Sequence, residues 1–323
     1  MSEILNVSLP VYQKGIWIIM RVKKLPKIVY SGLFLFLIAC GLFEGDEKNG
    51  QTDNDVMLTE NVNYGTNESG GKLWMDMFIP VDASSAPWPC VIYIHGSGWR
   101  AGNKKYTHER CIALSKRGYV VATINYTLSD EACWRAQIYD CKTAVRFMRA
   151  NSDLYNINPD KIGAWGGSAG AHLALMLGTT NNVGEMESGG GNNSISGKVS
   201  AVCSWNGPTW LINGELNADY LEILEPFLGV DYEENPSLFE TKANDASPIN
   251  WISGRDVPML LVYSENDPVV LYETQCLPFY NKASDSGLSV TLTTTTNYSH
   301  GYKDDLEIQL IEETCDWFDG VFK

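Results

Sequence analysis

The chain has 323 residues, of which 44% are apolar and 20% charged, and its formal net charge is −15. This length and apolar content are sufficient for one large α/β domain with an extensive core. Such an acidic surface repels nucleic acid and offers no basic face for phosphate groups, so we expect no nucleic-acid partner.

The first 39 residues are typical of a bacterial export signal. Four Lys or Arg residues between positions 21 and 27 precede an apolar run at residues 28–39, which is short for a bilayer-spanning helix. The run ends in LIAC at residues 37–40, which resembles a lipobox. We expect residues 1–39 to be removed and Cys40 to carry a lipid; an ordinary signal peptide or an uncleaved anchor is the alternative.

The residues before the basic cluster fit this signal poorly, which favours Met20 as the true start of translation. The predicted location is the bacterial cell envelope, facing the periplasm or the cell surface, with membrane contact through the lipid only. Residues 40–56 are rich in Gly, Asp, Glu and Asn and are interpreted as a flexible tether. Residues 57–323 are predicted to form the main folded domain.

Strand and helix patterns alternate along this domain. An antiparallel strand near the sheet edge is predicted at 72–79, and core strands at 91–94, 120–125, 161–165, 199–205, 259–263 and 289–294. Helices are predicted at 106–117, 134–151, 169–178, 271–283 and 305–318. This order indicates an α/β fold with a mostly parallel sheet, helices on both faces and functional loops at the carboxyl ends of the strands. Residues 208–250 are predicted to form a small cap.

The pentapeptide GGSAG at residues 166–170 has the pattern G-x-S-x-G between a predicted strand and a predicted helix. A serine on this sharp turn is held outward at the edge of a sheet, where a substrate can reach its hydroxyl. Small flanking residues let the strand and the helix approach closely. We therefore interpret Ser168 as a nucleophile; an ordinary Gly-rich turn is the alternative.

A serine hydroxyl needs a nearby base, and the base needs an orienting carboxylate. On this type of turn the partners follow in the order Ser, Asp or Glu, His. Of the four histidines, only His300 lies far enough downstream to leave room for the acid. It occupies a polar turn after the strand pattern at 289–294, and we assign it as the base rather than as a surface-loop histidine.

The acid is expected just after the buried strand pattern at 259–263. We assign Asp267, because Pro268 fixes the following backbone and Val269 can pack against the core. Glu265, which is closer to the end of the strand, is the competing acid. A third possibility is that Asp267 forms a salt bridge without a catalytic role.

Backbone N–H groups are required where the oxyanion develops. Ala169 supplies one directly after the nucleophile, and the Gly-containing turn HGSGW at residues 95–99 is expected to supply the others. Within that turn His95 is expected to brace the loop. His172 is interpreted as a hydrogen-bonded core residue, and His108 as a solvated one. No Cys or His spacing suggests a metal, and no cofactor is expected.

Four motifs in this order resemble an α/β-hydrolase of the hormone-sensitive-lipase-like and carbohydrate-esterase group, over residues 64–317. They are HGSGW at 95–99, GGSAGAHLA at 166–174, DPV at 267–269 and SHG at 299–301. The resemblance implies a serine carboxylesterase whose oxyanion hole combines the amides of Ser97 and Gly98 with that of Ala169.

The chain departs from this family at two positions. Ser97 stands where the family usually has glycine, and Thr127 stands where it usually has arginine in a Tyr-Arg-Leu motif. Ser97 retains the amide, so the oxyanion hole is expected to survive. Loss of the arginine removes a structural ion pair and leaves the chemistry untouched.

The resemblance implies an ester substrate, in particular the acetyl or feruloyl groups of plant polysaccharides such as acetylxylan. A general short-chain carboxylesterase is a second interpretation. A serine peptidase of the same fold and a non-catalytic glycan-binding surface lipoprotein are further alternatives. Trp99 and Trp210 are candidates for stacking on a sugar or an aromatic group, although packing between cap and core explains them equally well.

Overall fold

The computed structural model describes residues 11–13, 16–18, 51–53, 55–214, 216–302 and 304–323. The chain divides into two compact units, Met1–Glu44 and Gly45–Lys323. In the first unit, strands β1 (Val11–Gln13) and β2 (Ile16–Ile18) pair antiparallel. The predicted start at Met20, the apolar run and Cys40 lie outside the described residues.

The second unit contains a single sheet, which has nine strands in the described part of the chain. The strands are β3 (Gln51–Asp53), β4 (Val56–Thr66), β5 (Lys72–Pro80), β6 (Trp88–Ile94), β7 (Val120–Ile124), β8 (Ile157–Gly167), β9 (Ala201–Trp205), β10 (Met259–Ser264) and β11 (Val290–Thr295). Their order across the sheet is β11-β10-β9-β8-β6-β7-β5-β4-β3.

The six strands from β6 to β11 pair in parallel, and β3, β4 and β5 add antiparallel at one side. The predicted α/β fold with a mostly parallel sheet is confirmed. The strand predicted at 72–79 is β5, which lies third from the edge because β4 and β3 extend the sheet beyond it. Strands β3 and β4 begin inside the predicted tether 40–56, so sheet pairing reaches upstream of residue 57.

Seven α-helices are found in the described residues. They are α1 (His108–Lys116), α2 (Ala136–Ala150), α3 (Ala169–Thr179), α4 (Ala218–Leu228), α5 (Pro236–Asp245), α6 (Leu277–Asp285) and α7 (Asp304–Phe322). One face of the sheet packs against α1 and α7, through residues such as Leu114, Phe318 and Trp165. Helix α2 contacts β4, β6 and β8, and helix α3 contacts β6, β8 and β9. Consecutive side chains of the central parallel strands point to opposite faces and are buried on both, as expected for a sheet covered by helices on each side.

The predicted cap at 208–250 contains α4 and α5. Asn217 and Asn235 cap these helices, since each side-chain oxygen accepts an N–H from the first turn. Gly229 ends α4 in the left-handed region at φ 66°. Ile223 of α4 lines the cavity at Ser168, which places this helix beside that serine.

The seven cysteines in the described residues are all free thiols, six of them buried. Cys90 and Cys203 lie in core strands and are fully buried. Within the same residues, no helix combines the length and apolar character needed to cross a membrane.

Candidate active site

Ser168 occupies the tight turn that joins β8 to α3. Its backbone has φ 54° and ψ −121°, a strained conformation for a residue with a side chain. Glycines on both sides explain how the turn is built. A Cβ on Gly166 would lie 2.3 Å from the backbone of Gly170, and a Cβ on Gly170 would lie 2.0 Å from the carbonyl oxygen of Ile94. Gly166 and Gly170 are therefore required because neighbouring backbone leaves no space for a Cβ at either position.

Ser168, His300 and Asp267 come together at the carboxyl edge of the sheet. Ser168 Oγ lies 2.9 Å from His300 Nε2, and His300 Nδ1 lies 2.7 Å from Asp267 Oδ2. Asp267 is buried, while the His300 side chain is about one quarter exposed. A hydroxyl, an imidazole and a carboxylate in this order can move a proton away from Ser168.

The carboxylate of Asp267 is fixed by the backbone that follows it. Its Oδ1 accepts the N–H groups of Val269 and Val270 at 2.8 and 2.9 Å, which leaves Oδ2 for His300. Glu265 is exposed, and no contact joins it to His300 in the described part of the chain. The geometry therefore favours Asp267 over Glu265.

The His300 loop is held on both sides. Upstream, the Ser264 hydroxyl donates to the carbonyl oxygen of Tyr298. Downstream, the Tyr302 hydroxyl donates to Asn206 Oδ1 at 2.9 Å. These bonds tie the loop to the end of β10 and to the end of β9, which is the neighbour of β8, the strand that leads to Ser168.

The loop after β6 packs directly on the nucleophile turn. Ser97, Gly98 and Trp99 have successive positive φ values of 81°, 61° and 58°. The amides of Ser97, Gly98 and Ala169 have no hydrogen-bond acceptor among the described residues. Ala169 is the first residue of α3, where an amide has no partner within its own helix. Of these residues, Gly98 and Ala169 line the larger cavity together with Ser168, so their free N–H groups are placed as an oxyanion hole requires.

His95 braces this loop, as expected. It is buried, its ring stacks on Tyr126 with 4.5 Å between centroids, and its Nδ1 lies 3.0 Å from the carbonyl oxygen of Gly96. The Tyr126 hydroxyl donates to the carbonyl oxygen of His95. Gly102 makes the arrangement possible, because a Cβ there would lie 2.3 Å from His95 Nδ1.

His172 is a core residue. Its Nε2 lies 2.6 Å from the carbonyl oxygen of Ala246, and its Nδ1 accepts the indole N–H of Trp99 at 3.2 Å. Burial lowers the pKa of His172 to about 4, so the ring is neutral at physiological pH. The His172 side chain thereby joins α3 to Trp99, in the loop after β6, and to Ala246, at the end of α5.

The expectation that His108 is solvated is wrong. Its Nε2 lies 3.0 Å from Oδ2 of the fully buried Asp76, whose Oδ1 is 2.8 Å from Lys104 Nζ. This cluster was not predictable from local sequence patterns, because Asp76 lies in β5 and its partners come from the region where α1 begins. Nowhere in the described residues is a group of three or more His, Cys, Asp or Glu side chains arranged to hold a metal ion.

Two cavities meet at Ser168. The larger, of about 420 Å³, lies under the cap; the smaller, of about 170 Å³, lies beside His300. The smaller cavity is lined by Tyr93, Arg110 and Trp205, which the sequence analysis did not single out. Local sequence patterns could not identify these three residues as neighbours of Ser168, because they come from three separate elements, β6, α1 and β9.

The two tryptophans proposed for stacking are placed differently. Trp99 lines the larger cavity but is 2% exposed, and its ring stacks on Phe227 with 4.1 Å between centroids. It therefore forms part of the wall and presents no open platform. Trp210 lines neither cavity, and its backbone N–H and C=O are bound to the side chain of Gln275. Packing explains Trp99, and Trp210 lies away from both cavities.

Residues 75–282 match the BD-FAE family, a range that includes Ser168 and Asp267 but ends before His300. Esterase LipQ of Mycobacterium tuberculosis is 31% identical over 188 residues, which cover 56% of this chain and 42% of that protein. Esterase LipC of the same organism is 26% identical over 205 residues, covering 62% and 49%. The chain spans about half the length of these curated relatives.

A solved structure described as a truncated carbohydrate esterase from gut microbiota is similar over most of the fold. Its TM-score is 0.72 at 29% identity, and the match covers 84% of this chain and 99% of that chain. The similarity extends over nearly the whole of that structure and supports the assignment of the α/β-hydrolase fold.

Proposed function

The chain belongs to the BD-FAE family, and we propose that it is a serine ester hydrolase that works through an acyl-enzyme. The observation that carries the proposal is the relay of two hydrogen bonds, from Ser168 Oγ to His300 Nε2 and from His300 Nδ1 to Asp267 Oδ2. The esterase names of the relatives support the same reaction.

In the first half of the reaction, Ser168 Oγ attacks the ester carbonyl while His300 Nε2 takes its proton. Asp267 holds the neutral imidazole in the tautomer that is protonated on Nδ1, and it then stabilises the imidazolium that forms. His300 then protonates the leaving alcohol. In the second half, His300 activates a water that attacks the acyl-enzyme, and the acid leaves as Ser168 regains its proton.

The negative charge of each tetrahedral intermediate is stabilised by fixed N–H donors. The amides of Ser97, Gly98 and Ala169 are free of protein acceptors in the described residues, and Gly98 and Ala169 line the cavity at Ser168. Such donors act without reorganisation at the moment of reaction, and removal of one typically slows an enzyme by roughly 10²–10³.

For the substrate, we propose an acylated polysaccharide or a related small ester. The carbohydrate esterase named among the similar structures supports this class. The named bacterial esterases support the broader alternative of a short-chain carboxylesterase. Two cavities that both border Ser168 are consistent with either substrate class, because an ester has an acyl part and an alcohol part.

The test is an activity panel of p-nitrophenyl acetate, longer p-nitrophenyl esters, methyl ferulate, acetylated xylan and a peptide. We expect hydrolysis of esters and not of the peptide. Ser168→Ala is expected to lower kcat by roughly 10⁴–10⁶ and to abolish labelling by a fluorophosphonate probe. Undiminished turnover in that variant would reject Ser168 as the nucleophile.

We further propose that the mature protein is attached to the bacterial envelope by a lipid on Cys40. The support is the basic cluster, the apolar run and LIAC at residues 37–40. The measurement is incorporation of a labelled fatty acid during expression in a bacterial host. Loss of label in Cys40→Ser is expected, and label retained in that variant would contradict the proposal.

A further inference from the structure

The two cavities differ in which part of the catalytic group they contain. The larger is lined by Ser168, Ala169 and Gly98, and the smaller by Ser168 and His300. If the enzyme is an ester hydrolase as proposed, His300 must hand its proton to the leaving alcohol. The alcohol therefore lies on the side of the smaller cavity, and the larger cavity receives the acyl group.

The wall of the larger cavity is apolar over most of its area. Trp99, Ile223 and the segment 268–271 provide this surface. Ile223 stands close to the oxyanion loop, because a Cβ on Gly98 would lie 3.3 Å from its Cγ2. An acyl chain that enters past the oxyanion hole therefore meets α4 first.

Several polar side chains of this cavity are already bound by the protein. Gln275 accepts the backbone N–H groups of Thr209 and Trp210 through Oε1 and donates through Nε2 to the carbonyl oxygens of Trp210 and Asn213. The side chain of Asn217 caps α4. Gln275 Oε1 and Asn217 Oδ1 are therefore already occupied by protein N–H groups and are not free to bind a ligand.

Tyr220 is different. It is half-buried in the first turn of α4 and lines the larger cavity. Its hydroxyl has no hydrogen-bond partner in the described part of the chain, yet it is not one of the buried polar atoms that are sealed from solvent. Burial raises the pKa of Tyr220, which keeps the phenol protonated and able to donate. Because Tyr220 lines the cavity and its hydroxyl has no partner among the described residues, that hydroxyl is available to donate to an acceptor oxygen of a bound ligand.

We propose that the larger cavity is the acyl subsite and that Tyr220 makes it selective for acyl groups that carry an oxygen acceptor away from the ester. Such a group has an ether, carbonyl or hydroxyl oxygen along its chain. The apolar wall holds the carbon skeleton, and Tyr220 donates to the oxygen. The selectivity rests on the proposed ester hydrolysis and narrows its substrate class.

The test compares p-nitrophenyl heptanoate with its ether isosteres, in which one methylene at a time is replaced by oxygen. The leaving group is constant, so differences report on the acyl arm. For at least one isostere, the ratio of its kcat/KM to that of heptanoate is expected to fall about three- to tenfold in Tyr220→Phe. Ratios unchanged for every isostere would overturn the role of Tyr220.

Two variants complete the design. Tyr106→Phe removes a hydroxyl from a residue that is 78% exposed and lines neither cavity, and it should leave all ratios unchanged. Ile223→Trp narrows the larger cavity and should lower the ratio of heptanoate to acetate turnover by about tenfold or more. An unchanged ratio in Ile223→Trp would reject the acyl assignment.

The outcomes also separate this proposal from the activity on which it rests. Turnover of p-nitrophenyl acetate that is lost in Ser168→Ala supports ester hydrolysis whatever Tyr220 does. Turnover of acetate with none of any heptanoyl ester would leave the hydrolase standing and reject a long acyl subsite. No turnover of any ester would reject both.

Discussion

Arg110 of α1 and Glu307 of α7 are joined by two hydrogen bonds, with Arg110 Nε and Nη2 at 2.9 and 2.6 Å from Glu307 Oε1. The same guanidinium donates to the Tyr93 hydroxyl at 2.5 Å and lies over the ring of Trp205 at 4.9 Å. Glu307 stands in the first turn of α7, directly after the His300 loop. The ion pair therefore ties the downstream end of that loop to the strands beside the nucleophile.

We expect Glu307→Gln to lower kcat by about tenfold with a smaller change in KM, because the charge that anchors the loop is lost while Arg110 remains. Small misplacements of a catalytic group have effects of this order. Steady-state kinetics on p-nitrophenyl acetate measures the two constants.

The matched control is Arg117→Gln. Arg117 pairs with Glu312, Asp316 and Asp319, so it joins the same two helices further from the site. It should affect stability without lowering kcat. Equal losses of kcat in both variants would mean that helix packing, and not the His300 loop, explains the effect.

Asp267→Asn should lower kcat by roughly 10³–10⁴, since an amide cannot stabilise the imidazolium and favours the wrong tautomer. Glu265→Gln changes a neighbouring, exposed carboxylate and should leave kcat within about twofold. The comparison is made at saturating p-nitrophenyl acetate. A larger loss in Glu265→Gln than in Asp267→Asn would reverse the assignment of the acid.

Gly170→Ala should destabilise the protein by at least about 3 kcal/mol, because the new Cβ would lie 2.0 Å from the carbonyl oxygen of Ile94 and 2.5 Å from that of His95. Gly320→Ala is the opposite case. Gly320 is an exposed helical residue with nothing within 4 Å of an added Cβ, so the change should stabilise by about 0.5–1 kcal/mol. Urea denaturation measures both, and similar effects in the two variants would contradict the close approach.

Asp140 makes stability depend on pH. It is buried, Thr127 N–H donates to its Oδ2 at 2.8 Å, and no Lys, Arg or His of the described residues forms an ion pair with it. Burial raises the pKa of Asp140 to about 6. Between about pH 4 and 6 the folded state therefore holds this proton more tightly than the unfolded state, and its contribution to stability falls as pH rises through that window.

Asp140→Asn should remove this part of the pH dependence and raise the free energy of unfolding at pH 7 by roughly 2–3 kcal/mol relative to wild type. Asp153→Asn, at an exposed position, is the control. Denaturant unfolding at pH values below, within and above the window provides the comparison. A constant difference between wild type and Asp140→Asn at every pH would refute the role of this carboxyl.

The central strands and the three catalytic candidates were predictable because their signals are local. Continuous apolar runs mark β6 and β10, and the residues that follow them mark the site. Strand β4 was missed, although Val56, Leu58, Val62 and Tyr64 are buried, because its polar residues resemble those of the tether before it. The beginning of the folded domain was therefore set too far downstream.

Features built by distant segments were not predictable. The pairing of Asp76 with His108 joins residues 32 positions apart, and that of Arg110 with Glu307 joins residues 197 apart. The free hydroxyl of Tyr220 is also a property of what surrounds it in space. The contact of the Thr127 N–H with Asp140 likewise joins residues 13 positions apart.

The crowding around the turn that carries Ser168 has a consequence for how this protein can change. Neither Gly166 nor Gly170 tolerates even a methyl group, whereas Tyr220 and Ile223 belong to a separate helical insertion. Laboratory evolution toward new esters should therefore accumulate substitutions in that insertion and leave both glycine codons unaltered.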